Sequence, residues 1–523
     1  MRVEVAHVCN DPAGGRARLT EPVVATADGR VRGRVVDGRG GVPRHSVRGP
    51  PFGANRFRAP AAPTPWDGLR DARRYGPTVP KSSYPAPYDV LLADPSIPGE
   101  DCLNLNVWTP DPGGSGLPVM VWIQGGAYVI GMSGLPEYDG GRLARDGGVV
   151  VVTFNYRVGM EGFAQIEGAP PNRGLLDQVA ALEWVRDNIR AFGGDPDRVA
   201  VFGQSAGGGS VAALLAIDRA AGLFRRAVAQ SVPGTFFSPE LAADIAAACA
   251  AELGLRPTVA DLSSVAPRQL SAAADTVGAK MDQWAHRWGR PAHRTILFSP
   301  VVDGEVLAVT PWQALTDGTG RDIELLVGHT RDEQRLFTAI NGLLGEVSEE
   351  QAANALHVLA PGPDGARRYR DAFPAAGPDE LYELVHSDWL FRMPSLHLAE
   401  AQTAARGRAH VYELTWPAPG MGGALGACHG LDVPLVFGNL DRGQPAMLIG
   451  ETPSPEAEAL STQMRAAWAS FAAHGDPGWP AYDTDQRLVQ RFDTRPAVTA
   501  YPEEPSRLIW QSHTFPALRL ISR

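Results

Sequence analysis

Ser205 stands between two glycines in Gly203-Gln-Ser-Ala-Gly207, directly after the apolar run Val199-Ala-Val-Phe202 and just ahead of Val211-Ala-Ala-Leu-Leu-Ala-Ile217. A serine at a sharp strand-to-helix turn exposes its Oγ, and the flanking positions must be glycine because Cβ atoms there would collide. The same turn aims the amide of Ala206, at the start of the helix, toward an oxygen bound nearby. That arrangement suits nucleophilic attack on an acyl carbon. The pentapeptide by itself is weak, since chance supplies about 0.3 matches in a chain of this length and composition. The strand before it, the helix after it and suitable partners elsewhere give it weight against a glycine-rich surface loop.

A serine is a poor nucleophile until a base takes its proton, and the base needs an acid to fix its tautomer. In a strand–turn–helix site the acid and then the histidine follow the serine in chain order, each on a loop after a strand. The run Ile323–Val327 leads into Gly328-His-Thr-Arg-Asp-Glu333, which offers Asp332 and Glu333. His429 follows the run His410–Leu414, in a loop that includes Gly420-Met-Gly-Gly-Ala-Leu-Gly-Ala-Cys428. His474 and His513 also come later, but the first continues a helical segment and the second lies close to the C-terminus. Gln124-Gly-Gly-Ala-Tyr128 follows the apolar run Leu117–Ile123, where a turn can present backbone N–H groups to an oxyanion or serve only as a tight turn.

These loops need strands to carry them. Leu117–Ile123, Gly148–Phe154 and Arg198–Phe202 are short, rich in β-branched residues and nearly continuous in hydrophobicity, which suits strands buried on both faces of a parallel sheet. Between the last two, Leu176–Ile189 has apolar residues at helical spacing and stops at Gly193-Gly-Asp-Pro196, giving a βαβ crossover. The expected class is α/β, with further strands at Ile296–Phe298 plus Pro300–Val302, at Ile323–Val327 and at His410–Leu414. The Ala-rich stretches near 240–290 and 345–405 read as helical insertions able to cap a pocket. No internal repeat or long linker divides the chain, so a single domain over 1–523 is expected. The Pro/Gly-rich pieces at 41–65 and 111–118 read as surface loops.

Composition narrows the function classes. A net charge of −10 argues against nucleic-acid binding, which needs a basic face. The first ten residues lack the apolar stretch of a secretory signal, and no uncharged apolar run is long enough to span a bilayer. Cys9, Cys102, Cys249 and Cys428 are far apart and read as free thiols. A cytoplasmic protein is expected.

Motifs along nearly the whole chain resemble the type-B carboxylesterase/lipase family, the cholinesterase-like α/β-hydrolases, and in style its bacterial para-nitrobenzyl-esterase-like members. They are Pro50-Pro-Phe-Gly-x-x-Arg-Phe57, Pro65-Trp-Asp-Gly68, Glu100-Asp-Cys-Leu-Asn-Leu-Asn-Val107, Asn155-Tyr-Arg157 and the block from Asn172 through Gly174-Leu-Leu-Asp-Gln178 to Gly208. Further on come Pro300-Val-Val-Asp-Gly304, Gly328–Glu333, Cys428-His-Gly430, Pro434–Asn439 and Phe471–Pro477. The resemblance implies an α/β-hydrolase fold, a large mostly parallel sheet flanked by helices. It implies Ser205 as nucleophile, Glu333 rather than Asp332 as the orienting acid, and His429 as general base. It implies an oxyanion hole from the amides of Gly126, Ala127 and Ala206, a structural ion pair between Arg157 and Asp177, and Ser231 as support for the triad.

Four positions depart from the family pattern. Gln124 stands where His or Tyr is usual, Gln334 where Gly follows the acid, and Val232 where Gly is common; Gly41–Gly49 fits the family's entrance sequence poorly. The family's secreted members pair the cysteine of Glu100-Asp-Cys102 with one upstream, and here only the distant Cys9 precedes it, which implies reduced thiols. The implied activity is hydrolysis of carboxylic esters of small alcohols or phenols through an acyl-serine, without metal or organic cofactor. The alternatives are a non-catalytic binding module on the same scaffold, or acyl transfer and amide or carbamate hydrolysis by the same triad. Trp284 and Trp288 read as core rather than as a substrate gorge, and oligomeric state is open.

Overall fold

Alternate residues of Leu117–Ile123 enter two different cores. Val119, Val121 and Ile123 pack into one, and Met120 and Trp122 into the other. Val150 and Val152 separate from Val151 in the same way, as do Val199 and Val201 from Ala200 and Phe202. Successive side chains of a strand point to opposite faces, so a continuous apolar run feeds an apolar layer on each side of the sheet. This is seen in a computed structural model, which describes residues 5–8, 21–36, 56–82, 95–443 and 445–521. Cys9 and the Gly41–Gly49 segment lie outside the described residues, as does the first part of the Pro50–Phe57 motif.

Among the described residues the main sheet has eleven strands. Their spatial order is Ala497–Ala500, Leu488–Phe492, Ala409–Leu414, Glu324–Thr330, Arg226–Gln230, Gly194–Gln204, Leu117–Ile123, Val150–Phe154, Leu105–Thr109, Val5–Val8 and Arg34–Val36. All neighbours run parallel except Leu105–Thr109 against Val150–Phe154 and Leu488–Phe492 against Ala497–Ala500. Helices connect the strands, among them Arg173–Asn188 and Ala206–Ala216. A separate three-stranded sheet joins Val23–Thr26, Gly29–Arg32 and Leu69–Asp71. The architecture is the α/β class expected, a large and mostly parallel sheet between helices.

Register matters more for function than strand count. Gln204 is level with Gln230, Gln230 with Gly328, and Gly328 with Tyr412. Four adjacent parallel strands therefore release the chain along one edge of the sheet, delivering Ser205, Ser231, the 331–333 turn and the loop to His429 onto the same side.

The expected strand at 296–302 does not form. The segment carries only an isolated bridge between Val301 and Phe237. Pro300 has no N–H to offer a ladder, and the Val301 N–H donates instead to the Asn172 side chain at 2.8 Å. Conversely, Arg226–Gln230, Leu488–Phe492 and Leu105–Thr109 are strands that apolar patterning did not single out. Arg226 and Gln230 bound the first, and its burial depends on neighbours on either side.

Arg157 and Asp177 do pair. Nε and Nη2 of Arg157 donate to the two carboxylate oxygens at 2.8 and 2.6 Å, and the Arg157 N–H adds a third bond at 3.0 Å. Both residues are buried, and Arg157 Nη1 also reaches the carbonyls of Arg56 and Arg58. The pair ties the crossover helix to the chain leaving the Val150–Phe154 strand. Asp177→Ala leaves a buried cation without its partner and is expected to lower unfolding free energy by roughly 3–5 kcal/mol, read by urea titration. A loss of under about 1 kcal/mol would mean that the pair does not hold this region.

Candidate active site

Ser205 sits at φ 58° and ψ −126°, a conformation that L-residues avoid. The surroundings leave no alternative. Its N–H donates to the Gln230 carbonyl at 3.0 Å, and the helix Ala206–Ala216 starts at the next residue. A Cβ at Gly207 would come within 2.0 Å of the Ile123 carbonyl oxygen, and one at Gly203 within 2.6 Å of Gly207. These approaches are why the elbow takes glycine on both sides.

The turn after Leu117–Ile123 faces the elbow. Gly126 adopts φ 109°, followed by Ala127 at 51° and Tyr128 at 61°, and the N–H groups of Val129 and Ile130 close the turn on the Gly126 carbonyl. The Tyr156 hydroxyl donates to the Gln124 carbonyl at 2.7 Å and fixes where the turn begins. Among the described residues, the amides of Gly126, Ala127 and Ala206 donate to no acceptor within the chain. Gln124 itself is fully buried and neither atom of its side-chain amide finds a partner, so it fills space beneath the turn. The three amides border a cavity of about 670 Å³ that also holds Ser205 and His429.

Asp332 and Glu333 are neighbours with different tasks. Glu333 is fully buried, and its Oε2 accepts from His429 Nδ1 at 2.5 Å. Its Oε1 accepts from Ser231 Oγ at 2.6 Å and from the Thr330 N–H at 2.9 Å. Burial alone would raise this carboxyl, but the nearby His429 charge and these three hydrogen bonds outweigh it and hold the group below the usual carboxylate range. Asp332 instead pins the loop that carries His429. Its Oδ2 accepts from the Ala427 N–H at 2.8 Å, while its own N–H donates to the Ala427 carbonyl at 2.9 Å. Beyond His429, Asp432 accepts from Gln230 Nε2 at 2.8 Å and the Tyr412 hydroxyl at 2.7 Å, so the loop is fastened on both sides.

The remaining face of the imidazole holds a residue that motif reading passed over. Gln204 Nε2 lies 3.1 Å from His429 Nε2, and among the described residues no hydrogen bond joins Ser205 Oγ to the ring. With Nδ1–H committed to Glu333, Nε2 is the acceptor. Gln204 is the first variable residue of the elbow, but its contact with His429 joins segments 225 residues apart and leaves no local signal in the sequence. Phe391 stacks on the ring at 4.2 Å between centroids and Phe337 approaches at 5.3 Å. Phe391 comes from a π-helical turn, Asp388–Arg392, a local distortion with no signature in apolar periodicity.

Residues weighed as alternatives fall elsewhere. His474 ends the helix Pro455–His474 at the surface, and His513 packs between Trp510 and Phe515. Trp284 and Trp288 stack on each other at 4.7 Å, and neither borders the cavity.

A serine elbow at the C-terminal edge of a mostly parallel sheet, sharing a cavity with a carboxylate-bound histidine, defines an α/β-hydrolase. The model of the carboxylesterase family matches residues 20–510, and the chain belongs to that family. It is 37% identical to the para-nitrobenzyl esterase of Bacillus subtilis, over 94% of this chain and 98% of that one. It is 34% identical to the phenmedipham hydrolase of Pseudarthrobacter oxydans, over 90% and 95%. Among solved structures, a PNB esterase superimposes with a TM-score of 0.80 at 35% identity, covering 94% of this chain and 99% of that chain. A Geobacillus stearothermophilus carboxylesterase does so with 0.79 at 35% identity, covering 94% and 100%. The protein is a carboxylic-ester hydrolase of the serine type.

Ser231→Ala removes one donor from a buried carboxylate. It is expected to lower kcat about 10-fold or more, from a charge-assisted bond worth roughly 1.5–3 kcal/mol, with KM little changed. Unchanged kcat in steady-state assays would show that Glu333 is held without it.

Proposed function

We propose that Ser205 is the nucleophile, His429 the general base, Glu333 the acid that orients it, and that the amides of Gly126, Ala127 and Ala206 form the oxyanion hole. The observation that carries this reading is the 2.5 Å contact of His429 Nδ1 with an ionised, buried Glu333, on the wall of the cavity into which the Ser205 elbow opens. His429 Nε2 takes the Oγ proton as Oγ bonds to the acyl carbon, and the carbonyl oxygen gains negative charge beside the three amides. The tetrahedral species collapses, the alcohol leaves with the proton from His429, and an acyl-serine remains. Water, deprotonated by the same nitrogen, then releases the acid and restores Ser205. In the resting site Gln204 occupies Nε2, so this hydrogen bond gives way as substrate seats. Such bonds commonly tighten only in the substrate complex.

Esters of small alcohols or phenols are the proposed substrates. Ile130, Leu135, Phe298, Leu336, Phe337 and Phe391 make much of the cavity wall apolar, and its volume is in the range of small-ligand sites. We read the chain as one unit over 1–523 with helical insertions over the site, supported for the second insertion by Leu390 and Phe391 on the cavity wall. A cytoplasmic setting fits Cys102, Cys249 and Cys428, all buried free thiols; among the described residues no helix is long and apolar enough to cross a membrane.

In hydrolysis of para-nitrophenyl esters from acetate to decanoate, Ser205→Ala is expected to lose on the order of 10⁴- to 10⁶-fold in kcat while keeping the wild-type unfolding curve. Retained turnover would remove Ser205 from the chemistry.

A further inference from the structure

Among the described residues the cavity wall carries one guanidinium, Arg294, alongside Thr295, Phe337 and Asn341. Its Nε is closed to solvent and has no acceptor, and among the described residues no carboxylate pairs with it. Other deeply placed arginines each meet a carboxylate or a set of carbonyls, although single nitrogens such as Arg56 Nη2 and Arg392 Nε also lack a hydrogen-bond partner. Arg157 is held by Asp177, Arg392 by Asp388 and Glu503, and Arg56 by Glu161. Arg173 lacks a carboxylate but donates to the carbonyls of Met160, Glu161, Ala164 and Pro170. Arg294 has only the face of Phe337, 5.7 Å from its guanidinium carbon, and Phe337 in turn lies 5.3 Å from His429. The charge is thus one aromatic ring away from the base.

Nothing else in this wall neutralises it. Desolvation lowers Arg294 to about 10, which leaves it charged at neutral pH. His386, close by, is kept neutral by burial and further by Arg294 itself. Glu137, the carboxylic acid on the same wall, is pushed up to about 7 by burial and makes no ion pair with Arg294. Thr295 follows at φ 53°, unusual for a β-branched residue, so the backbone is bent where the guanidinium meets the cavity. A partly buried, planar, weakly hydrated cation with free donors matches a carboxylate in charge and in fork geometry.

We infer that Arg294 is a specificity residue that binds a carboxylate on the substrate, so that the enzyme favours esters carrying a second, free acid group over their neutral counterparts. The inference rests on the esterase reading above. It calls for substrates such as half-esters of dicarboxylic acids, or acyl esters of hydroxy acids, whose anion is offered to the guanidinium while the ester lies at Ser205.

The test compares two matched pairs. In the first the anion is on the acyl side, mono-4-nitrophenyl suberate against 4-nitrophenyl octanoate. In the second it is on the alcohol side, 4-acetoxybenzoate against its methyl ester. Arg294→Met is expected to lower kcat/KM for the charged member of at least one pair by about 30-fold or more, while its neutral partner changes by less than about 3-fold. Arg294→Lys, which keeps the charge but not the fork, is expected to recover part of the loss. Charged and neutral esters falling together in both pairs would overturn the inference and leave Arg294 a packing residue. Neutral-ester turnover reports on folding and on the esterase reading separately, since that reading fails only if wild type does not hydrolyse them or Ser205→Ala still does. Should Arg294→Met not fold, wild-type inhibition decides: the monoamide of suberic acid, with its anion at the far end of the chain, is expected to compete with 4-nitrophenyl octanoate about 10-fold more strongly than octanamide does, and equal inhibition would overturn the proposal.

Discussion

One strained residue organises this molecule. Ser205 can hold φ 58° only because the chain leaves a parallel strand and enters a helix within a single residue, with backbone atoms of Ile123 and Gly207 packed where side chains would otherwise stand. The strain is sustained by everything that over-determines the turn: the Gln230 carbonyl on the Ser205 amide, the helix that starts at Ala206, and the buried sheet on either side. The result is a hydroxyl projecting from the sheet edge with a helix N-terminus behind it.

The partners depend on the same edge. Because Gln204, Gln230, Gly328 and Tyr412 are level, each successive strand hands over one part of the site. Consecutive residues then divide the work, Glu333 turned toward the imidazole and Asp332 toward the backbone of the loop that carries it. Fastening by Asp332 and Asp432 limits the freedom of His429, so the ring is oriented before substrate arrives. The electrostatics follow from burial. A fully buried carboxyl would ordinarily take up a proton, but the nearby His429 charge and the hydrogen bonds to Glu333 hold it below the usual carboxylate range. Its native proton affinity is thereby depressed, so its contribution to stability is full above the unfolded carboxylate range and is lost as pH falls through the native value.

Charge on the cavity wall is arranged differently from charge in the core. Core arginines meet carboxylates or sets of carbonyls, as proteins require of buried ions. Among the described residues Arg294 meets only an aromatic face, and it does so on the wall of the cavity that Ser205 also lines. The same aromatic cluster that carries this ion packs against His429.

Much of this was legible in the chain itself. Glycines around Ser205, apolar runs that feed both faces of a sheet, and the order of serine, acid and histidine are local or linear properties, and side-chain sterics and strand periodicity make them readable without a structure. The Ile296–Val302 segment misled because its composition is strand-like while its hydrogen bonds go to the Asn172 side chain and to Phe237. Arg226–Gln230 escaped notice because its burial comes from neighbours on both sides rather than from its own pattern. Residue spacing could not separate Asp332 from Glu333, since one residue of twist decides which carboxylate faces the ring; the family resemblance implied the glutamate, and folding supplies the reason. Gln204 against Nε2, Phe391 on its π-turn and Arg294 left without an anion exist only once distant segments meet. The sequence by itself determined the elbow, the class of fold and the kind of chemistry; tertiary structure alone decided which groups surround His429 and which charge stands on the cavity wall, because contacts between residues far apart in the chain leave no periodic trace in it.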